Sequence, residues 1–159
     1  MHAGMNPTAL DKAALCALIP HDGDMCLLDA VLDWGDEHIR CRSASHRLAN
    51  HPLRRENGTL GASHLLEYAA QAAAVHGGLL AAAENAVPTP GYLVATRRLQ
   101  LHAERIDTLP GDLDIAAHRL FAGPGGWVYE FEVAHADATL ADGQFTIAHL
   151  DADHRKPRP

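Results

Sequence analysis

Gly61 to Glu84, GASHLLEYAAQAAAVHGGLLAAAE, is the longest apolar run in the chain, and its reading decides the fold. Ala, Leu, Glu and Gln dominate it, and these are strong helix formers. Thr59 or Ser63 supplies a start signal, and Pro88 and Pro90 forbid extension far beyond Glu84. At about 100° per residue, Leu65, Ala69, Ala72, His76 and Leu79 share one side, and Ser63, Glu67, Gln71, Ala74 and Gly78 the other. Both sides are largely apolar, so the helix is expected to be wrapped by other elements rather than laid on a surface. Its length matches a bilayer, but Glu67, Gln71 and two histidines interrupt it without a polybasic flank, so no membrane role is expected. Glu67 is the informative residue. A carboxyl on an Ala/Leu helix costs stability unless it is paired, protonated or used.

Working outward, residues 8–19 carry the pattern of a short amphipathic helix that Pro20 ends. Met25–Leu32 and His38–Ala44 read as strands, and a polar loop over 46–60 leads into the central helix. Beyond Pro88 the chain reads as four mostly antiparallel strands, at 92–102, 112–122, 127–136 and 138–150. Gly123-Pro124-Gly125-Gly126 marks a hairpin and Gly143 a bulge. In the strand at 127–136, Trp127, Tyr129, Phe131 and Val133 occupy one face. The expected fold is α+β, a strongly twisted antiparallel sheet wrapped around one long buried helix. It forms a single domain over 1–159, with its core at about 8–150 and a charged tail at 151–159. Small residues (Ala69, Ala73, Gly77, Gly78) let the sheet approach the helix, and long strand edges point to dimerisation.

Composition narrows the function classes. Twenty acidic against 13 basic residues give a net charge of −7, and no basic stripe is present, so nucleic acid is not an expected partner. Cys16, Cys26 and Cys41 form no CxxC pair, and no secretory signal opens the chain. A reducing cytoplasm without disulfides is therefore expected. The twelve histidines are scattered, without an HExxH motif. His64 and Glu67 have a metal-helix spacing that lacks a second copy elsewhere, so no metal is expected. No nucleotide or flavin motif appears, and no cofactor is expected.

Three features together resemble the hotdog-fold beta-hydroxyacyl-acyl carrier protein dehydratases. Leu18-Ile19-Pro20-His21 followed by Met25-Cys26-Leu27-Leu28-Asp29 is similar to that family's opening "PHR…LLVDR" segment. Leu66-Glu67-Tyr68-Ala69-Ala70-Gln71-Ala72 is similar to its "EAMAQ" helix, and the element order agrees. Within that family the chain is most similar to the divergent dehydratase-like proteins of bacterial aryl polyene gene clusters.

The resemblance implies an acyl-carrier-protein or acyl-CoA thioester as substrate and loss of water from a 3-hydroxyacyl group. In the family a histidine takes the alpha proton, a helix carboxyl manages the departing hydroxyl, and a backbone N–H polarises the thioester oxygen. Glu67 stands at the carboxyl position and Gln71 at the following glutamine, here assigned to substrate binding. The family's "GHFPGxPVMPG" loop corresponds to residues 49–61, where its register lands on Leu53 and a two-residue insertion brings in His51. His51 is thus the candidate base, with His46 and His64 as weaker stand-ins, and Gly61 or Ala62 the candidate amide. Two further readings share the fold. One is a subunit without its own chemistry, binding acyl chains or supporting an active dehydratase in a hetero-oligomer; the other is an acyl thioesterase. Arg54, Arg55, Arg97 and Arg98 are candidates to meet an acidic carrier protein.

Overall fold

The computed structural model describes residues 9–19, 25–89 and 91–149. The elements run α1 (Lys12–Cys16), β1 (Ala30–Trp34), β2 (His38–Ser43), α2 (Leu65–Ala83), β3 (Gly91–Leu101), β4 (Leu113–Gly123), β5 (Gly126–His135) and β6 (Ala138–His149). The strands form one antiparallel sheet in the order β1-β2-β4-β5-β6-β3. The helix α2 lies against β2, β4 and β5, the middle of that sheet. Inward positions alternate as the pleat requires. On β2, Ile39, Cys41 and Ser43 are buried while His38, Arg40 and Arg42 are exposed. On β5, Tyr129, Phe131 and Val133 face the core, as the sequence predicts.

The expected central helix is present, with two differences. It opens with a 3-10 turn at Ala62–His64, and its cap is His64 without a side-chain bond, not Thr59 or Ser63. It is also buried on one side only. Leu65, Tyr68, Ala69, Ala72, Val75 and His76 are sealed, whereas Glu67, Ala70, Ala74 and Leu80 are half-exposed. An alanine-rich surface has too little side-chain bulk to show which of its faces a sheet covers. Gly77 admits the sheet as expected, whereas Gly78 admits the segment after α1. A methyl on Gly78 would sit 3.2 Å from Leu18, and one on Gly77 would sit 3.5 Å from the Trp127 ring.

Residues 25–28, read from sequence as the start of a strand, lie outside the sheet, and β1 begins only at Ala30. Side chains hold them instead, because Leu27 meets the helix, Ser43 at the end of β2 and Ser45 just beyond it (below) rather than a neighbouring strand. Leu10 bridges Val31 through two backbone bonds and brings α1 alongside β1. That packing joins Cys16 to Cys26 in a disulfide, against the expectation of none. A ten-residue separation without a motif carries no signal of a pairing that tertiary packing creates. Cys41 remains free, buried in β2, with its thiol pushed up to about 12 chiefly by burial. The Pro20-His21 part of the family-like opening and the 151–159 tail lie outside the described residues.

The hairpin forms as expected, with Gly123 paired to Gly126 across Pro124-Gly125. The bulge expected at Gly143 lies on the facing strand. The register of β3 slips between Arg97 and Gln100, where Arg98 has a positive φ of 55°. Gly143 accommodates it, since a Cβ there would stand 3.0 Å from the Leu99 Cα. No helix among the described residues is long and apolar enough to cross a membrane.

Candidate functional site

Glu67 lies in the first turn of α2. Its carboxyl accepts one bond, from Gln71 Nε2 at 3.2 Å, and otherwise faces a groove of about 1190 Å³. Ala70, Ala74 and Gly77 form one wall of that groove, and Leu18 and Ile19 also line it, Leu18 lying against Gly78. It follows the half-exposed face of α2 from Glu67 past Ala81, about 21 Å at the helix rise. Tyr92, Trp127 and His149 line its far end, and the Arg119 guanidinium stacks 4.4 Å over Trp127. Asp36, Glu37 and Glu84 also line the groove, and Glu67 is the acid of its lining that Gln71 contacts.

Gln71 is 2 % exposed and faces inward from that acid. Its Oε1 accepts the Leu27 N–H at 2.8 Å, and its Nε2 donates to the Met25 carbonyl (2.5 Å) and to Glu67. A backbone N–H on the oxygen excludes the flipped amide, so an N–H is directed at Glu67.

His51 is buried, at 4 % exposure, and its ring meets a tyrosine rather than Glu67. Nδ1 accepts the Leu53 N–H at 3.0 Å, so in the neutral ring the proton sits on Nε2. Nε2 donates to Tyr68 Oη at 3.0 Å, Tyr68 passes its hydroxyl proton to Ser45 Oγ (2.8 Å), and Ser45 donates to the Leu27 carbonyl (2.7 Å). Ser43 Oγ reaches the same carbonyl at 2.5 Å. Burial first, then the nearby charges of Arg54, His64 and His46, pushes the imidazole down to about 4. The ring is therefore neutral at pH 7, and both its nitrogens are engaged.

Sequence reasoning missed Tyr68, Ser43 and Ser45. The signals were present: a tyrosine follows the glutamate where "EAMAQ" has alanine, and serines fall at the end of β2 and two residues past it. Of the stand-ins, His46 is sealed, its Nε2 donating to the Leu109 carbonyl and its Nδ1 without a partner among the described residues. His46 does not line the groove.

Of the two candidate amides, Ala62 N–H is committed to the Glu104 carbonyl, while the bridge of Gly61 to Arg105 runs through the Ala62 and Ile106 amides and does not use the Gly61 N–H. Asp107, held by Arg105, accepts the Leu60 N–H at 2.9 Å and ties down this entry to the helix. Those two donors keep its carboxyl below the usual carboxylate range. Asp107→Ala is expected to cost about 1 kcal/mol in urea unfolding at pH 7. Because the folded carboxyl is depressed, that difference is present above about pH 4 and fades as pH falls below it. An unchanged midpoint would show that the loop is held without it. Arg54 is likewise structural, donating to the carbonyls of Leu48, His46 and Gly58. It is not free to meet a carrier protein. Among the described residues no group of three or more His, Cys, Asp or Glu is placed to hold a metal ion.

A sheet of this order curled on one long helix, with a helix carboxyl at the head of an apolar groove, is the hotdog fold. A profile of the ApeP-like family, described as ApeP dehydratase, matches residues 13–156, and the chain belongs to that family. It is similar in structure to the dehydratase heterocomplex ApeI:P from Xenorhabdus doucetiae, at TM-score 0.78 and 22% identity over 87% of this chain and 92% of that one. Thioesterase superfamily member 2 of zebra fish aligns at TM-score 0.60 and 17% identity, covering 88% and 95%. A hypothetical thioesterase with coenzyme A from Streptococcus pneumoniae TIGR4 aligns at 0.55 and 13%, covering 76% and 84%. No curated protein sequence matches the chain.

Proposed function

We propose that this chain is the partner-dependent half of a 3-hydroxyacyl thioester dehydratase. It contributes Glu67 and the acyl groove, and the subunit that pairs with it supplies the base. The observation that carries this reading is the hydrogen bonding of His51. A general base needs a free lone pair; here Nδ1 is occupied by Leu53 N–H, and Nε2 bears the proton given to Tyr68. In the reaction, the partner's base takes the proton from C2, the electron pair forms the C2=C3 bond, and the C3–O bond breaks. Glu67 protonates the departing hydroxyl, which leaves as water. Gly61 N–H, at the head of α2, is the amide we assign to the thioester oxygen.

The partner's place is the outer edge of β3, the end strand of the sheet. All of β3 is exposed, including Tyr92, Leu93, Val94, Leu99 and Leu101, an apolar edge that another strand would cover. That the dehydratase ApeI:P is a heterocomplex favours an unlike partner over a second copy.

The test is mass spectrometry of 3-hydroxyacyl-carrier protein and 3-hydroxyacyl-CoA, with this chain alone, with a candidate catalytic dehydratase, and with both. Water loss that requires both chains and survives His51→Ala is expected. Turnover by this chain alone that His51→Ala abolishes would instead establish His51 as its own base. Release of free acid without dehydration would make it a thioesterase. Val94→Lys, in the middle of the exposed edge, is expected to weaken co-purification at least tenfold. Unchanged pairing would place the interface elsewhere.

A further inference from the structure

We infer that Gln71 is a positioning residue for Glu67, and that the Cys16–Cys26 disulfide makes this positioning redox-dependent by clipping the segment that anchors Gln71. The inference rests on the role proposed above for Glu67. Gln71 presents its N–H to Glu67 because its other two bonds fix the amide on Met25 and Leu27. No sheet ladder holds residues 25–28, so Gln71 is only as well placed as this short segment. Three attachments secure it. Ser43 and Ser45 hold the Leu27 carbonyl, and Lys12 Nζ from α1 donates to the carbonyls of Cys26 (3.1 Å) and Leu28 (2.9 Å). The third is covalent, from Cys26 to Cys16 at the end of α1.

The disulfide therefore ties the end of α1, just before the groove-lining Leu18 and Ile19, to the segment that anchors Gln71. In the cytoplasm expected from the sequence, such a bond is exposed to thiol reductants and is more often regulatory than structural. Cys16 is half-buried and Cys26 is 6 % exposed, so a reducing dithiol attacks the Cys16 sulfur first. The S–S bond breaks, Cys26 leaves as thiolate, and the dithiol's second sulfur displaces Cys16. Two protein thiols form as the dithiol becomes a disulfide. Segment 25–28 then keeps its hydrogen bonds and the core packing of Leu27 and Leu28 but loses its covalent clip, and Gln71 is held less firmly behind Glu67.

Two readouts test this. The first is exchange of the Leu27 amide hydrogen in the isolated chain, oxidised or treated with dithiothreitol, with the disulfide verified by peptide mass mapping. Reduction is expected to speed that exchange tenfold or more, and Cys26→Ser to do the same without any response to dithiothreitol. The second is kcat and KM of the paired assembly. Reduction and Gln71→Ala are each expected to lower kcat about fivefold with little change in KM. Reduction should add nothing once Gln71 is Ala. Unchanged Leu27 exchange, or faster exchange with kcat unmoved, overturns the inference. An assembly that keeps full activity with Glu67→Gln overturns the functional reading beneath it, while Leu27 exchange still decides whether the disulfide clips the segment.

Discussion

Glu67→Gln is expected to lower turnover of the paired assembly by about 10²- to 10⁴-fold, the usual contribution of a positioned general acid. The substitution retains the volume, the helix propensity and the acceptor for Gln71, and removes only the transferable proton. Glu67 is half-exposed at the head of the groove and makes no bond that the core depends on. Stability should therefore stay within about 0.5 kcal/mol, and the loss should appear in kcat. Single-turnover mass spectrometry of the 3-hydroxyacyl-carrier protein measures it. Activity retained within threefold would remove Glu67 from the chemistry and leave this chain a scaffold for its partner.

The second large effect is acid instability. His51 and His76 are both buried and neutral, and both are pushed down to about 4. His76 lies between the Tyr129 hydroxyl on Nδ1 and the Gly35 carbonyl on Nε2, each at 2.7 Å. Burial dominates its shift. The Gly35 carbonyl opposes that shift, and Arg119 and His38 add to it. Unfolded histidine titrates near 6.5. Between pH 6.5 and 4 the unfolded chain therefore takes up protons that the folded chain refuses, and stability falls as pH falls through that window. Allowing for solvent screening, each contributes on the order of 2 kcal/mol. Urea midpoints at pH 7 and pH 4.5 should differ strongly in the wild type and much less in a His51→Gln, His76→Gln double variant, whatever its stability at neutral pH. Equal pH dependence in the two proteins would show that the histidines are already protonated, or solvated, in the fold.

The architecture was legible because it rests on periodicity. A long Ala/Leu helix, alternation in β2 and β5, and the glycine-rich hairpin are all written in local sequence, and each appears where its residues place it. Glu67 was legible for the same reason: an acid on an apolar helix stands out. His51 was legible as a residue but not as a geometry. Whether its ring opens to a groove or faces a tyrosine depends on Tyr68, the residue after Glu67 within the motif, and on serines 23 and 25 residues before that tyrosine. Residues 25–28 misled for a related reason. Their apolar run is that of a strand, but Gln71 and two hydroxyls take the backbone groups that a neighbouring strand would have taken. The disulfide was beyond sequence reach, since only the docking of α1 on β1 brings its two ends together.

The exposed face and edge of β3 also bear on how the cell must handle this protein. A newly made copy that meets no partner offers eleven residues of unshielded ladder, with Tyr92, Leu93 and Val94 in succession. Such an edge templates aggregation, and only Arg97 and Arg98 oppose it by charge. Surplus copies would thus be sticky, and on the proposed pairing matched synthesis of the two subunits would limit them. By itself the chain should self-associate as its concentration rises; with a strand-pairing companion that tendency should fall.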